Sequence, residues 1–311
     1  KITLHDVGVS EKFMLHAYGR RLNKILCEIR PDICVSVGGR DIFCLPSCTD
    51  GSIKVSEFHF SHDKYAVKYG GSFFGNIYAR FRMRQIEKVA AKLDKFIVLT
   101  KSDKKDWEPF VPNVASIYNP LTFKSEEVAA LDNKKCIAIG RLESQKNFRD
   151  LVAAWKYVAE EYPDWVLEIY GNGSLKESLQ KQITSLGLDL QVRLMGSSSD
   201  IRSKMLDSSC LVMSSAYEGF PMVLLEAVET GLPMVSYDCP KGPAEIIIDG
   251  KSGYLVKLGD VKGLARRVCD VISDAGRRKE FGAMAKETAA QYSIDRIMEQ
   301  WKTLFEGLMA K

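Results

Sequence analysis

Two carboxylates, Glu218 and Glu226, bracket the stretch EGFPMVLLE at residues 218–226. Between them lie a Gly-Phe-Pro turn and an apolar run. A core helix needs neither acid. A ligand rich in hydroxyls would use both, because a carboxylate accepts hydrogen bonds from two neighbouring sugar hydroxyls. Pro221 suits the first turn of a helix, where its missing N–H costs nothing, and Gly231 suits the stop. Glu218 is therefore expected in a loop above a strand, and Glu226 about one and a half turns into the helix. Gly219 and Phe220 would present backbone N–H groups at the positive end of that helix, which favours anions.

A second pair is cationic. Arg141 and Lys146 share the loop GRLESQKN (140–147), which follows a strand and opens a helix. Cations at the positive end of a helix are locally unfavourable. A bound diphosphate would offset that cost, with the guanidinium acting as a fork and the ammonium as a point charge. Either residue alone reads as a solvated surface charge; the pair beside a strand-to-helix turn reads as an anion site. YGNGSL (170–175) repeats the order of strand, glycine turn and helix with Gly171 and Gly173. A GxG is by itself only a tight turn. GPAEI (242–246) is a further loop of this kind.

These loops need a scaffold of alternating elements. In the second half, strands are expected at 136–140, 165–171, 191–196, 210–215, 233–238 and 253–256, separated by amphipathic stretches. Phe148, Leu151, Val152, Trp155 and Val158 recur at helical spacing, with Asn147 placed to cap and Pro163 following. The first half repeats the scheme, with strands at 2–7, 33–38, 53–58, 95–100 and 115–118 and helices at 11–29, 75–93 and 102–108. Such alternation predicts parallel sheets covered by helices on both faces. Residues 118–135 are turn-rich, then charged, and read as a linker.

Composition removes several classes. With 46% hydrophobic and 27% charged residues, the chain is an ordinary globular one. No apolar run approaches the roughly 18 residues of a membrane span, and the start carries no apolar signal core. The eight cysteines form no CxxC pair, so a reducing cytoplasm fits better than disulfides or zinc. Residues 1–133 hold 20 basic against 16 acidic side chains, and the remainder is balanced at 24 of each. That excess is small and no nucleic-acid motif accompanies it, so a nucleic-acid partner is not expected.

In this order, IGRLESQKN, YGNGSL, LMG, EGFPMVLLEAVETGLPMVSYDCPKGPAEII and GYLV resemble the family-4 retaining glycosyltransferases of the GT-B fold. Two glutamates separated by seven residues are the hallmark of that family. RPDICVSV, FIVLTKSDKKDW and IYNPL are similar to it as well, so the resemblance runs from about residue 30 to the end. DCPKGPAEII looks like the branch that builds bacterial surface polysaccharides and lipid-linked oligosaccharides. The resemblance implies an α/β chain with two Rossmann-like parallel-sheet domains facing a cleft. Residues 1–125 would form the acceptor side and 126–292 the nucleotide-sugar side. Residues 293–311 would be a helix that packs on its own domain or crosses back to the first. The activity implied is retaining transfer of a sugar from a nucleoside diphosphate sugar, foremost a UDP-sugar, to a hydroxyl of a glycan or of a polyprenyl-diphosphate-linked acceptor. Its place would be the cytoplasm, peripheral on the inner face of the membrane.

Carried over residue by residue, Arg141 and Lys146 would hold the donor diphosphate and Glu226 the ribose hydroxyls. Glu218, with the backbone of Gly219, Phe220 and Pro221, would face the donor sugar and phosphate. Gly171 and Gly173 would line the donor pocket, and Met195 and Gly196 would lie near the base. The chain has no Asp-x-Asp, so neither a metal nor another cofactor is expected; two cations and a helix dipole would stabilise the leaving diphosphate. His59 matches the family's cleft histidine after the third strand. By itself a His at a strand end reads as structural; the resemblance gives it a part in orienting the acceptor or stabilising charge. Glu57 and His62 are lesser candidates beside it.

Residues 59–85 interleave aromatics with Lys64, Lys68, Arg80, Arg82 and Arg84. Two readings stand for residues 64–84: a membrane-facing patch reaching a lipid-diphosphate acceptor, or a partly buried helix with a solvated cationic face. The start KITLHDVGVS looks like the second strand of the family's first domain. The strand, glycine-rich loop and helix expected before it are missing, so the acceptor-side domain is expected to be incomplete. Two other functions use the same fold: a nucleotide-sugar epimerase, and a non-catalytic nucleotide-sugar-binding scaffold. A nicotinamide dehydrogenase is disfavoured because no GxGxxG opens a first strand unit.

Overall fold

Short β-branched runs form the strands and longer amphipathic stretches form the helices in the computed structural model, which describes residues 11–121 and 123–310. The strand expected at 2–7 and Gly8 lie outside the described residues. Up to Tyr118 the elements run α1 Glu11–Ile29, β1 Ile33–Ser36, β2 Ile53–Phe58, α2 Lys64–Tyr69, α3 Phe73–Ala90, β3 Lys95–Val98, α4 Lys101–Trp107 and β4 Val114–Ser116. From Asn119 onward come β5 Lys135–Ile139, α5 Phe148–Glu161, β6 Val166–Tyr170, α6 Lys176–Ser185, β7 Val192–Gly196 and α7 Ile201–Leu206. Then follow β8 Cys210–Met213, α8 Met222–Glu229, β9 Met234–Asp238, α9 Pro243–Ile246, β10 Gly253–Lys257, α10 Val261–Ile272, α11 Ala275–Thr288 and α12 Ile294–Met309.

The chain folds as two units. One contains the described residues to Tyr118 together with Met298 onward, and the other is Asn119–Ile297. α12 thus begins in the second unit and ends in the first. The first unit holds a parallel sheet in the order β1-β2-β3-β4. Its core gathers Phe58, Phe96 and Trp107, whose rings meet at 4.8–5.7 Å, with Met83 and Ile86 of α3 covering them. The second unit holds a parallel sheet in the order β10-β9-β8-β5-β6-β7. Its central strands are buried on both faces, as a helix-covered parallel sheet requires. Leu151, Val152, Trp155 and Val158 of α5 pack into that core. This two-sheet α/β architecture is that of the GT-B fold.

Four expected strands, at 33–38, 95–100, 115–118 and 210–215, stop two residues early, and for three of them the chain shows the local cause. After β1, Gly38 takes a left-handed backbone at φ 67° and turns the chain away. After β3, the Thr100 hydroxyl caps α4 by accepting from the Asp103 N–H at 3.0 Å. After β8, Ser214 donates to the Lys146 carbonyl at 2.9 Å and leaves the ladder. No described helix is long and apolar enough to cross a membrane.

Candidate functional site

The strand order reverses between β5 and β8, which are neighbours in the sheet but run on to opposite sides of it. Connections leaving such neighbours diverge and open a crevice at their carboxyl ends, where open α/β sheets bind ligands. The β5 end carries Gly140–Asn147 and the β8 end carries Ser214–Glu218. Three hydrogen bonds stitch these loops together. Ala216 N–H donates to the Gln145 carbonyl at 2.8 Å, Gln145 Nε2 to the Tyr217 carbonyl at 3.1 Å, and Ser214 Oγ to the Lys146 carbonyl at 2.9 Å. Between them Lys146 Nζ donates to Glu218 Oε1 at 2.7 Å, with side chains only 18% and 9% exposed. The basic loop and the acidic loop thus meet as one charged centre. Arg141 sits exposed at the start of the same loop.

Cys239, beyond β9, faces this centre. Burial pushes its thiol up to about 12, with the Glu218 and Asp238 carboxylates adding to the shift. It therefore stays a neutral thiol at physiological pH and offers no thiolate nucleophile.

The β6 loop packs backbone to backbone against the β5 loop. A side chain at Gly171 would put its Cβ 1.9 Å from the Gly140 carbonyl oxygen, and one at Gly173 would meet the Leu142 backbone at 2.4–2.7 Å. Only glycine permits this approach. Leu142 N–H donates to the Asn172 carbonyl and Leu175 N–H to the Leu142 carbonyl, at 2.9 and 3.0 Å. Glu143 clamps the same junction, accepting from the Ser174 N–H and hydroxyl at 2.8 Å each. Those two bonds hold its carboxyl below the usual range. On the far side Gly171 N–H donates to the Gly196 carbonyl at 2.8 Å, and the Asn172 side chain reaches Ser197 at 2.8 Å. Met195 is exposed and Gly196 ends β7. Gly171, Gly173 and Gly196 thus belong to one continuous edge with Arg141 and Lys146.

α8 starts one residue later than expected. Pro221 is its N-cap, with φ −76° and ψ 98°, and Met222 is the first helical residue. Gly219 is half-buried, while the Phe220 ring turns into the core against Tyr292 at 5.9 Å. Phe220 can therefore offer a ligand only its backbone. Glu226 lies on α8, half-buried, and burial raises its carboxyl above the ordinary value. No donor among the described residues satisfies that carboxylate. The expected cap of α5 also differs. Asn147 holds the N-cap position in a left-handed backbone, φ 47°, and its side chain donates to Asp150 at 2.8 Å instead of accepting.

In the first unit, His59 and Glu57 stand at the end of β2. His59 Nε2 is 3.3 Å from Glu57 Oε2 but off the line of a hydrogen bond. This buried nitrogen therefore has no hydrogen-bond partner among the described residues. His62 is committed elsewhere. Its Nε2 pairs with Glu87 at 3.0 Å, and its ring meets Trp107 edge-on and stacks on Phe110. That is a structural histidine, so the structure separates His59 from the other candidate.

The family model for glycosyl transferases group 1 matches residues 122–288, more than half of the chain. The chain belongs to the group 1 glycosyltransferases. A Haemophilus influenzae protein described as an uncharacterised glycosyltransferase is 26% identical over 91% of this chain and 78% of its own length. The amylovoran biosynthesis glycosyltransferase AmsD of Erwinia amylovora is 32% identical over 68% of this chain, which spans 62% of AmsD. The crystal structure of Anabaena HepE with UDP superposes with a TM-score of 0.80 over 94% of this chain and 82% of HepE, at 18% identity, a likeness of fold.

The structure of this group 1 glycosyltransferase also exposes residues that motif reading passed over. Gln145 and Ser214 stitch the two charged loops, and Glu143 clamps the glycine loop to them. Ser215 is buried beside the same crevice, its hydroxyl without a hydrogen-bond partner among the described residues. The only trace of these in the sequence was polar residues directly after apolar strands. Replacing Gly173 by Ala should force the Leu142 backbone aside and cost about 1–3 kcal/mol of stability. Amide exchange at Leu142 and Leu175 should accelerate with it; unchanged exchange at both would show that the contact does not hold the loops.

Proposed function

We propose that this protein is a retaining, metal-independent glycosyltransferase. Its donor is a nucleoside diphosphate sugar, foremost a UDP-sugar. Its acceptor is a hydroxyl of a glycan or of a polyprenyl-diphosphate-linked oligosaccharide in bacterial surface polysaccharide synthesis. We place it in the cytoplasm, peripheral on the membrane through residues 64–84. The observation that carries the reading is the unsatisfied, half-buried carboxylate of Glu226 on the helix following the Lys146–Glu218 centre. The likeness to AmsD, a glycosyltransferase of amylovoran biosynthesis, and to HepE, whose structure holds UDP, supports the pathway class and the donor.

Each group has a definite task. Ribose hydroxyls donate to Glu226. The diphosphate competes with Glu218 for Lys146, and Arg141 supplies a second cation from the exposed side. Backbone N–H groups at Gly219 and Phe220 add the positive end of α8. Met195 and Gly196 border the base. Released from Lys146, Glu218 is free to accept from hydroxyls of the donor sugar. The anomeric carbon–oxygen bond to the diphosphate then breaks as the acceptor oxygen bonds to that carbon from the same face. The acceptor proton leaves to the departing phosphate oxygen, so no covalent enzyme intermediate is required. The cations and the helix end stabilise the charge that develops on the leaving group. His59 is assigned to the acceptor.

The deciding experiment incubates the protein with radiolabelled UDP-sugars, with and without a glycan acceptor. Labelled glycan supports the reading. A converted sugar nucleotide without acceptor would mark an epimerase, and UDP binding without turnover a scaffold. Turnover should survive excess chelator. Arg141→Ala and Lys146→Ala should each lower UDP affinity about tenfold or more while uridine affinity changes little; equal losses for both ligands would remove the diphosphate assignment. Glu226 gives a pH signature. Its raised carboxyl favours the protonated folded state, a contribution present at low pH and lost as pH rises through the folded value. Ribose binding needs the charged form and so runs the other way. Uridine affinity should fall on acidification through that raised value and stay flat in Glu226→Gln, as measured by calorimetry.

A further inference from the structure

α3 carries a surface that the transfer chemistry leaves unused. Its core-facing residues are Ala79, Met83, Ile86 and Ala90, spaced i, i+4, i+7 and i+11 and buried in the first unit. On the opposite side Phe73, Phe74, Ile77, Tyr78 and Phe81 are exposed, by 74, 81, 52, 46 and 57%. Their spacing of i, i+1, i+4, i+5 and i+8 makes one stripe. The helix thus has two apolar faces, and among the described residues one of them is covered and the other exposed.

The exposed face changes chemistry along its axis. Arg80, Arg84 and Lys88, at i, i+4 and i+8, are all exposed; Arg80 stands beside Phe81, and Arg84 and Lys88 continue the face beyond the aromatics. Residues 73–92 contain five basic side chains and one acid, Glu87, which His62 already holds. Within residues 73–92 the cationic stripe therefore has no free counter-charge. Arg84 and Lys88 lie about one to two turns beyond Phe81, roughly 5–10 Å. Aromatics at the apolar boundary with cations at phosphate depth are what an interfacial helix presents.

We propose that the first three turns of α3 insert into the interfacial layer of an anionic lipid bilayer, with Arg80, Arg84 and Lys88 on lipid phosphates. This deepens the reading above by naming the surface at which the acceptor is met. It also narrows residues 64–84. Lys64 lies 3.1 Å over the Phe60 ring, and Arg82 is half-buried between the Phe43 and Tyr65 rings. Those two cations serve the fold.

The test is flotation of the whole chain with phosphatidylcholine vesicles and with vesicles also containing phosphatidylglycerol. Wild type should float with the anionic vesicles and be released by salt. Phe73→Ser with Phe74→Ser and Phe81→Ser should lower partitioning about tenfold or more. Arg80→Gln with Arg84→Gln should lower it roughly twentyfold on anionic vesicles and leave weak binding to neutral ones unchanged. Thermal stabilisation by UDP should be intact in both variants, which separates this surface from the donor reading; its absence in wild type would count against the donor reading alone. The proposal is overturned if wild type ignores anionic vesicles or if either variant binds them as wild type does. It is also overturned if wild type is a dimer in sedimentation that the serine variant abolishes, because a second copy then covers the stripe.

Discussion

The buried contact between Lys146 and Glu218 joins the two loops at the carboxyl edge of the second unit's sheet. Taking an ammonium and a carboxylate out of water is expensive, and their attraction only roughly compensates. Such a pair is a poor device for stability alone. Its position is informative: it sits where β5 and β8 part, and three further hydrogen bonds hold the two loops in register around it. On the function proposed above, an anionic ligand separates these opposite charges where β5 and β8 part. Ground-state pairing and ligand binding then become competing uses of the same ammonium.

The glycine contacts give that centre its rigidity. With no Cβ at 171 or 173, the β6 loop lies directly on the β5 loop, and Glu143 fastens the junction from outside. The loop that carries Arg141 and Lys146 is thereby backed by a second loop instead of standing free. On the function proposed above, an anion site built this way would lose little conformational freedom on binding, which is how preorganised sites retain affinity.

The first unit divides its polar groups between scaffold and surface. His62 and Glu87 are locked by stacking and pairing, whereas His59 keeps a buried nitrogen with no hydrogen-bond partner among the described residues. α3 makes the same division among its apolar groups, one stripe in the core and one outside. Near-identical residue types a few positions apart thus have different fates, set by which side of an element they occupy.

Sequence patterning by itself determined the strands from residue 33 onward, the helix after Asn147 and the glutamate-bracketed segment on α8. Each depends on neighbours within a few residues: β-branched runs, helical periodicity, Gly and Pro at turns. Family membership was legible for the same reason, through contiguous motifs. Tertiary structure alone decided what is distant in the chain. Lys146 and Glu218 are 72 residues apart, and they pair only because β5 and β8 are adjacent in the sheet. Glu143 and Ser174, 31 apart, meet only because the glycine loop packs flat. Phe220 turning inward, Asn147 donating instead of capping, and Arg82 lying between aromatic rings follow equally from packing. Local sequence sets which conformations a segment favours, and the sheet order decides which side chains become neighbours.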